Sequence, residues 1–434
     1  MNNIVKRDGR IEEWDRTKIE QAVQKAFTAV DKELTDYAVQ KSIKIADYVE
    51  SVSNDKELTV EEVQDLVEKG LMSTKRKDVA RAYITYRNER NSERQRKSDL
   101  IKTVTEKISA SNVNNQNANV DEYSFGGRAG EANSALLRQY ALDYCMSKTA
   151  VYNHLNNRIY THDLDHYVLG DHNCLTCPID DLLANGFNTR QTDIRPAQSV
   201  NTAFQLVAVI FQLQSLQQYG GVSASHIDHT MVPYVRKSFT KYIREGLIYI
   251  EELCEYELKR FEKWLENDLH KDGTLWFSDE EFKDKHYKSW KYAMKMVEKE
   301  VYQAVEAMYH NLNTLQSRSG NQLPFSSINY GTCTLPEGRL VIKALLETSI
   351  KGIGKLHKTS IFPCGIFQCM KGVNREPGDP NYDLFQLALK STAQRLYPNY
   401  VNVDWSVNEG YDRNDPRTYT STMGKCKCSP CKTD

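Results

Sequence analysis

The chain has 434 residues, with 57 Lys and Arg against 58 Asp and Glu, a formal net charge of −1 and 40% hydrophobic residues. Charge this close to balance leaves no electrostatic footprint for DNA, RNA or an anionic membrane. No apolar run approaches the roughly 20 residues of a membrane span, and Met1-Asn-Asn-Ile-Val-Lys-Arg7 holds no apolar signal core, so a cytoplasmic protein of two or three domains is expected.

Residues 1–92 read as a separate unit. Ile4 and Val5 lead into the turn signal Asp8-Gly9, and Ile11 resumes a hairpin. Asp15 caps a helix with Ile19, Val23 and Phe27 on one face. A second helix covers Tyr37 to Val52. A third opens at the capping box Thr59-Val-Glu-Glu62 and buries Val63, Leu66, Val67 and Leu71. A fourth carries Val79, Ala82, Tyr83 and Tyr86. Lys6, Arg7, Arg10 and Lys18 gather around the hairpin turn and the first helix start. Cations beside a helix N-terminus suit a polyphosphate, although chemistry alone favours a solvated basic hairpin. No Gly-x-x-x-x-Gly-Lys-Ser/Thr occurs, which excludes a P-loop.

The charged run Asn88–Lys97 reads as a solvated helix extension or linker, because its signs alternate and no aromatic interleaves. With Asn-rich 112–119 it makes a linker over 93–119. Long helices alternating with short strands then imply an α/β body. Helices are expected at about 133–156, 197–219, 226–268 and 279–318, the last through the capping box Ser278-Asp-Glu-Glu281. Strands are expected at Phe325–Asn329, Ile361–Gln368 and Tyr400–Trp405, with helices near 338–351 and 382–396.

The most chemically loaded stretch is Ile159-Tyr-Thr-His-Asp-Leu-Asp-His-Tyr167 with His172-Asn-Cys-Leu-Thr-Cys177. By itself it is compatible with radical, redox, metal or nucleophilic chemistry. On a strand Cys174 and Cys177 point to opposite faces, and no second Cys pair of zinc spacing accompanies them in the body. Cys177 therefore reads as structural. His162, Asp163, Asp165 and His166 read as buried hydrogen-bonding groups with no metal, His162 being open to substrate contact. Cys364 and Cys369 read as core thiols near a strand end, Cys145 and Cys254 as helix core, and Gln218-Tyr-Gly-Gly221 as a helix C-cap.

Two resemblances sharpen this. Residues 1–92 resemble the ATP-cone, a regulatory nucleotide-binding module, at Lys6, Arg7, Asp8, Gly9, Asp15, Lys18, Ile19 and Ala80-Arg-Ala-Tyr83. The resemblance implies ATP or dATP as an effector, its phosphates held by Lys6, Arg7 and Lys18, with Asp8 and Asp15 in the same site. Residues 120–424 are similar to the anaerobic, glycyl-radical ribonucleoside-triphosphate reductases. The match runs through Val120-Asp-Glu, Ser124-Phe-Gly-Gly-Arg128, the Ile159–Cys177 stretch, Leu182-Leu-Ala-Asn-Gly-Phe187, Gln218-Tyr-Gly-Gly221, Phe362-Pro-Cys-Gly365 and Pro380-Asn-Tyr-Asp383. It implies a ten-stranded α/β barrel, reduction of ribonucleoside triphosphates, a homodimer and a radical-SAM iron–sulfur activase. In that family a thiyl radical on a fingertip-loop cysteine abstracts the ribose 3′ hydrogen. Cys174 falls where the facing cysteine belongs, which donates a hydrogen atom toward C2′ as water leaves.

The family's fingertip cysteine follows Met-Gly. Here Ser421-Thr-Met-Gly424 leads into Lys425-Cys-Lys-Cys-Ser-Pro-Cys-Lys-Thr-Asp434, a Cys-rich tail over 425–434. Cys426 stands one residue off register. The family's zinc site and glycyl-radical loop belong to a C-terminal half not present in this sequence. The expectations are a read-through or frameshifted tail, a second polypeptide completing the barrel, or a metal or redox tail. The chain by itself is expected to lack turnover and to expose apolar sheet faces and unpaired edges. The alternative is a non-catalytic ATP/dATP-binding interaction fragment.

Overall fold

The computed structural model describes residues 3–7, 9–53, 57–109, 123–170, 174–218, 220–265, 280–318, 321–405, 410–423 and 426–428. It divides into two compact units, residues 1–103 and 104–434.

In the first unit, β1 (Asn3–Val5) and β2 (Ile11–Glu13) form the expected hairpin. β3 (Leu58–Thr59) adds parallel to β1, a pairing too short to show as a strand in the sequence. Around this small sheet lie α1 (Thr17–Asp31), α2 (Asp36–Ser53), α3 (Val60–Ser73) and α4 (Lys77–Ile108). Asp15 holds the start of α1, its Oδ1 accepting from the Thr17 N–H at 3.0 Å and the Thr17 hydroxyl at 2.6 Å. The capping box at Thr59 is complete, since Thr59 Oγ1 accepts from Glu62 N–H and the Glu62 carboxylate accepts from Thr59 N–H. Ile19, Val23, Phe27, Ile45, Val67, Leu71 and Tyr83 close the core of this unit. Of the two forms expected for the charged run it takes the helix extension: α4 continues through it to Ile108.

The second unit opens with α5 (Phe125–Tyr140), a π-helical turn (Ala141–Cys145) and α6 (Lys148–Leu155). One expected helix is thus broken at Met146, because Ser147 caps a new start by accepting from Ala150 N–H. β4 (Leu175–Thr176), α7 (Ile179–Asn185), the small hairpin β5 (Phe187–Asn188) and β6 (Asp193–Ile194), and α8 (Val200–Ser215) follow. After β7 (Val222–Ala224) come α9 (Ile227–Thr230), α10 (Val232–Tyr249), α11 (Glu255–Leu265), α12 (Glu280–Lys285) and α13 (Tyr287–Thr314). The helix expected over 226–268 is interrupted between Tyr249 and Glu255. There the Glu251 carboxylate accepts from Ser289 N–H, Ser289 Oγ and the His286 ring, so it caps α13. Ser278, the cap expected for that region, lies outside the described residues. The chain continues through β8 (Ser326–Tyr330), α14 (Pro336–Lys351), β9 (Cys364–Cys369), α15 (Tyr382–Arg395), β10 (Asn399–Asn402), β11 (Ser421–Met423) and β12 (Cys426–Cys428).

Five strands make one parallel sheet in the order β10-β9-β8-β7-β4. Among the described residues this sheet is open, with β4 and β10 at its edges. One face carries Val222, Ala224, Ile328, Tyr330 and Phe367 against the buried sides of α8, α10, α13 and α14, and this is the main core. The opposite face carries Thr176, Ser223, Ser327, Asn329 and Gln368, together with the apolar Ile366 and Val401. The expected exposed apolar sheet face is corrected for β4, β7 and β8, where strand alternation puts polar side chains on that face, while on β9 the apolar Ile366 is buried there. The large apolar side chains more than three-quarters exposed among the described residues are Phe125, Tyr144, Tyr160, Tyr249, Leu356, Leu396 and Trp405.

Candidate functional site

The first unit holds a cleft of about 160 Å³ between the hairpin, α1, α3 and α4. Ile4, Ile19, Val63 and Val67 line it with apolar surface, Tyr83 closes one side, and Lys6, Asp15 and Lys18 stand at its polar edge. An apolar slot with cations beside it accepts a ligand that is flat and apolar at one end and anionic at the other. Lys6 lies 3.1 Å from Glu12, and Lys18 lies 3.8 Å from Asp15. The Thr17 hydroxyl bond holds the Asp15 carboxyl below its ordinary range, so it is an anion at neutral pH. Burial pushes the Tyr83 phenol up to about 12, so it is neutral there. Arg7 does not line the cleft. Its Nε donates to Glu61 at 2.6 Å, and Glu61 also accepts from Arg87 at 2.9 Å. Asp8 lies outside the described residues.

In the second unit the register decides where the two cysteines stand. Leu175 N–H donates to Gly221 O at 3.0 Å, and Cys177 N–H donates to Ser223 O at 2.9 Å. Leu175 pairs with Val222 and Thr176 with Ser223. Cys177 accordingly joins the helix-covered core, where burial pushes its thiol up to about 12. Alternation places half-buried Cys174 with Thr176 on the polar face. His172 and Asn173 lie outside the described residues.

Across that polar face runs the segment Tyr419–Met423. Tyr419 packs with Met370 and Val403. Asn329 Oδ1 accepts from Thr422 N–H at 3.1 Å, and Gln368 Nε2 donates to Thr420 O at 3.4 Å. Gly424 and Lys425 lie outside the described residues. Of the Cys-rich tail, Cys426–Cys428 form a strand antiparallel to β11.

At the C-terminal end of β7 the His226 ring bridges Asp180 Oδ2, at 2.7 Å, and Ser225 Oγ, at 2.6 Å. Burial would raise the Asp180 carboxyl, but the His226 bond and charge outweigh it and hold the carboxyl low. The buried Asp228 Oδ2 accepts from Gly331, Thr332 and Cys333 N–H at 2.9, 3.1 and 2.9 Å, fixing the turn after β8. Sequence reading missed Asn329, Gln368 and the Asp180–His226 pair. The available signal was polar side chains at alternate positions in Ser326-Ser-Ile-Asn-Tyr330, a strand otherwise of core composition.

Several expectations are corrected here. The His162 side chain is 69% exposed and 2.5 Å from Asp163, while Asp165 alone of that quartet is deeply buried, accepting from Ser134 Oγ at 2.7 Å. Cys145 and Cys254 are exposed, because each sits where an expected helix breaks. The Gln218–Gly221 segment is no C-cap: α8 ends at Ser215, and Gln218 donates to Gly221 O at 2.8 Å just before β7. Among the described residues no three His, Cys, Asp or Glu side chains converge to hold a metal.

Residues 116–429 match the family model for the anaerobic ribonucleoside-triphosphate reductase, and residues 2–92 match that for the ATP cone domain. The chain belongs to the anaerobic ribonucleoside-triphosphate reductase family. The family's reductase of Haemophilus influenzae is 31% identical over 407 residues, which cover 93% of this chain and 52% of that one. The reductase of Escherichia coli is 29% identical over 409 residues, with the same coverage of 93% and 52%. A solved anaerobic ribonucleotide reductase from Thermotoga maritima, in complex with dATP and CTP, is 13% identical with a TM-score of 0.43, covering 73% of this chain and 50% of that chain. This family member thus spans about half the length of the curated relatives it matches.

Proposed function

We propose that this chain is the effector-binding and Cys174-bearing part of an enzyme that reduces ribonucleoside triphosphates by radical chemistry, under control of ATP and dATP. One observation carries the reading: Thr420–Thr422 is held across the same polar sheet face on which alternation places Cys174. Two chain segments meeting over one face suit a thiol that hands a hydrogen atom to a substrate radical. On the substrate radical the 2′-hydroxyl leaves as water with the 3′-hydroxyl proton; the Cys174 S–H bond then breaks homolytically, the hydrogen going to the C2′ radical and the unpaired electron to sulfur, which an external reductant returns to the thiol. The effector lies in the first unit, its base in the slot beside Tyr83 and its phosphates toward Lys6 and Lys18. Arg7 joins them by leaving Glu61, which keeps Arg87 as its partner; Asp15 borders the same site, to which the family resemblance also assigns Asp8. A homodimer and a radical-SAM iron–sulfur activase complete the reading. No step is assigned to zinc, for which the described residues offer no ligand cluster.

The test is calorimetric titration of ATP and dATP into the chain, its Lys6→Ala and Lys18→Ala variants, and Cys174→Ser. Each lysine variant is expected to weaken binding about tenfold, with Cys174→Ser unchanged. Binding that ignores both lysines refutes the effector site. For catalysis, the chain is supplied with the relatives' remaining half and activase. Cys174→Ser is then expected to abolish deoxynucleotide formation, and turnover that survives it removes Cys174 from the reaction.

A further inference from the structure

β11 is not a strand of the five-stranded sheet, yet one side chain does for it what a flanking strand would. Asn329 on β8 is fully buried; its Oδ1 accepts from Thr422 N–H at 3.1 Å and its Nδ2 faces Thr422 O at 3.2 Å. A single carboxamide thereby supplies the paired donor and acceptor that a neighbouring backbone supplies in a ladder. The orientation of the amide is determined. Nδ2 also faces Ala224 O at 3.0 Å and Ser223 Oγ at 3.1 Å, and turning the group over would set Oδ1 against two carbonyls. Gln368, likewise fully buried, holds a second point by donating to Thr420 O at 3.4 Å and to Ser225 O at 3.2 Å. Ser223 Oγ adds a third contact to Thr422 O at 3.4 Å.

Apolar packing lets a segment slide by a fraction of a residue at little cost, whereas a two-point hydrogen bond admits one register. We infer that Asn329 is a positioning residue: it fixes the register of Tyr419–Met423 over the face that carries Cys174. The segment is then clamped at both ends, by the Tyr419 cluster with Met370 and Val403 and by the Asn329 amide at Thr422. The catalytic consequence rests on the proposed reductase reading; the clamp itself does not.

Amide hydrogen exchange, followed by mass spectrometry on the full chain, tests the clamp. Asn329→Ala is expected to speed exchange of the 419–423 peptide about tenfold, while peptides from α13 and α14 exchange as in the parent chain. Asn329→Asp keeps an acceptor for the Thr422 N–H but points a carboxylate at two carbonyls, and it is expected to loosen the same peptide. Unchanged protection of 419–423 in a folded Asn329→Ala chain overturns the clamp. Should that variant lose protection throughout α13, Ser223→Ala replaces it; several-fold faster exchange at 419–423 is then expected, and no change overturns the clamp. Positioning is read from turnover of the chain supplied with the relatives' remaining half. A fall in kcat of at least about tenfold with KM and ATP affinity retained is expected for Asn329→Ala. An unaltered kcat overturns the positioning role. An inactive parent refutes the reductase reading, and with it that role, while the exchange data still decide whether the clamp exists.

Discussion

Burial sets two pairs of the described cysteines apart chemically. The Cys177 and Cys333 thiols are each pushed up to about 12 by burial, whereas Cys145 and Cys254 stand in contact with water. A thiolate is the reactive form, so iodoacetamide at pH 8 is expected to label Cys145 and Cys254 of the native chain and to leave Cys177 and Cys333 untouched. Peptide mapping checks this, and labelling of native Cys177 would contradict its place in the core. The same shift has a consequence for stability. The folded state holds these protons more tightly than the unfolded chain, whose thiols titrate near 9. The contribution is therefore complete below about pH 9 and is lost as the pH rises from there toward 12. The urea midpoint is expected to fall between pH 9 and 10.5, and a midpoint that rises over that interval would reverse the assignment. In the first unit, Thr59→Ala removes one half of the capping box and is expected to cost about 1 kcal/mol, read from the thermal unfolding of that unit.

Among the elements, α10 and α13 cross with their backbones close together. A Cβ built on Gly246 would stand 2.8 Å from Ser289 Cβ and 2.9 Å from its Cα, so the two helix backbones approach closely there. Gly246→Ala is expected to cost about 1–3 kcal/mol through overpacking, despite the better helix propensity of alanine; a urea midpoint unchanged or raised would show that the helices can part. Nothing in Arg244-Glu-Gly-Leu247 announces this contact, because it depends on a partner 43 positions away. The first unit was far more legible. Its helices carry a clear 3.6-residue period and a capping box at Thr59, both of which are local signals. β4 and β7 were not readable, since Leu175–Thr176 and Val222–Ala224 are too short to show alternation and owe their conformation to each other. The break after Tyr249 escaped for a related reason: the Glu251 carboxylate caps a helix that begins 36 residues later. At the site, Cys174 could be singled out from its motif, whereas Asn329 and Gln368 acquire meaning only once Thr420 and Thr422 are brought onto their face.

At the level of the whole molecule the two largest cores among the described residues have no residue in common, one confined to residues 4–83 and the other beginning at Cys177. Residues 1–103 produced alone are therefore expected to unfold cooperatively on heating and to bind ATP within about threefold of the affinity of the full chain. A molten fragment, or one that has lost binding, would show that the first unit depends on the second. The polar sheet face also bears on how the chain is made. Asn329 precedes its partner Thr422 by 93 residues, which at ribosomal speeds of about 5–20 residues per second leaves the face bare for roughly 5–20 s. The helices that cover the apolar side are largely translated before their strands, α8 ahead of β7 and α13 ahead of β8. What β7 and β8 offer to their neighbours in that interval is hydroxyl and carboxamide groups that water can serve, so the wait for the last segment passes with their sticky side already hidden.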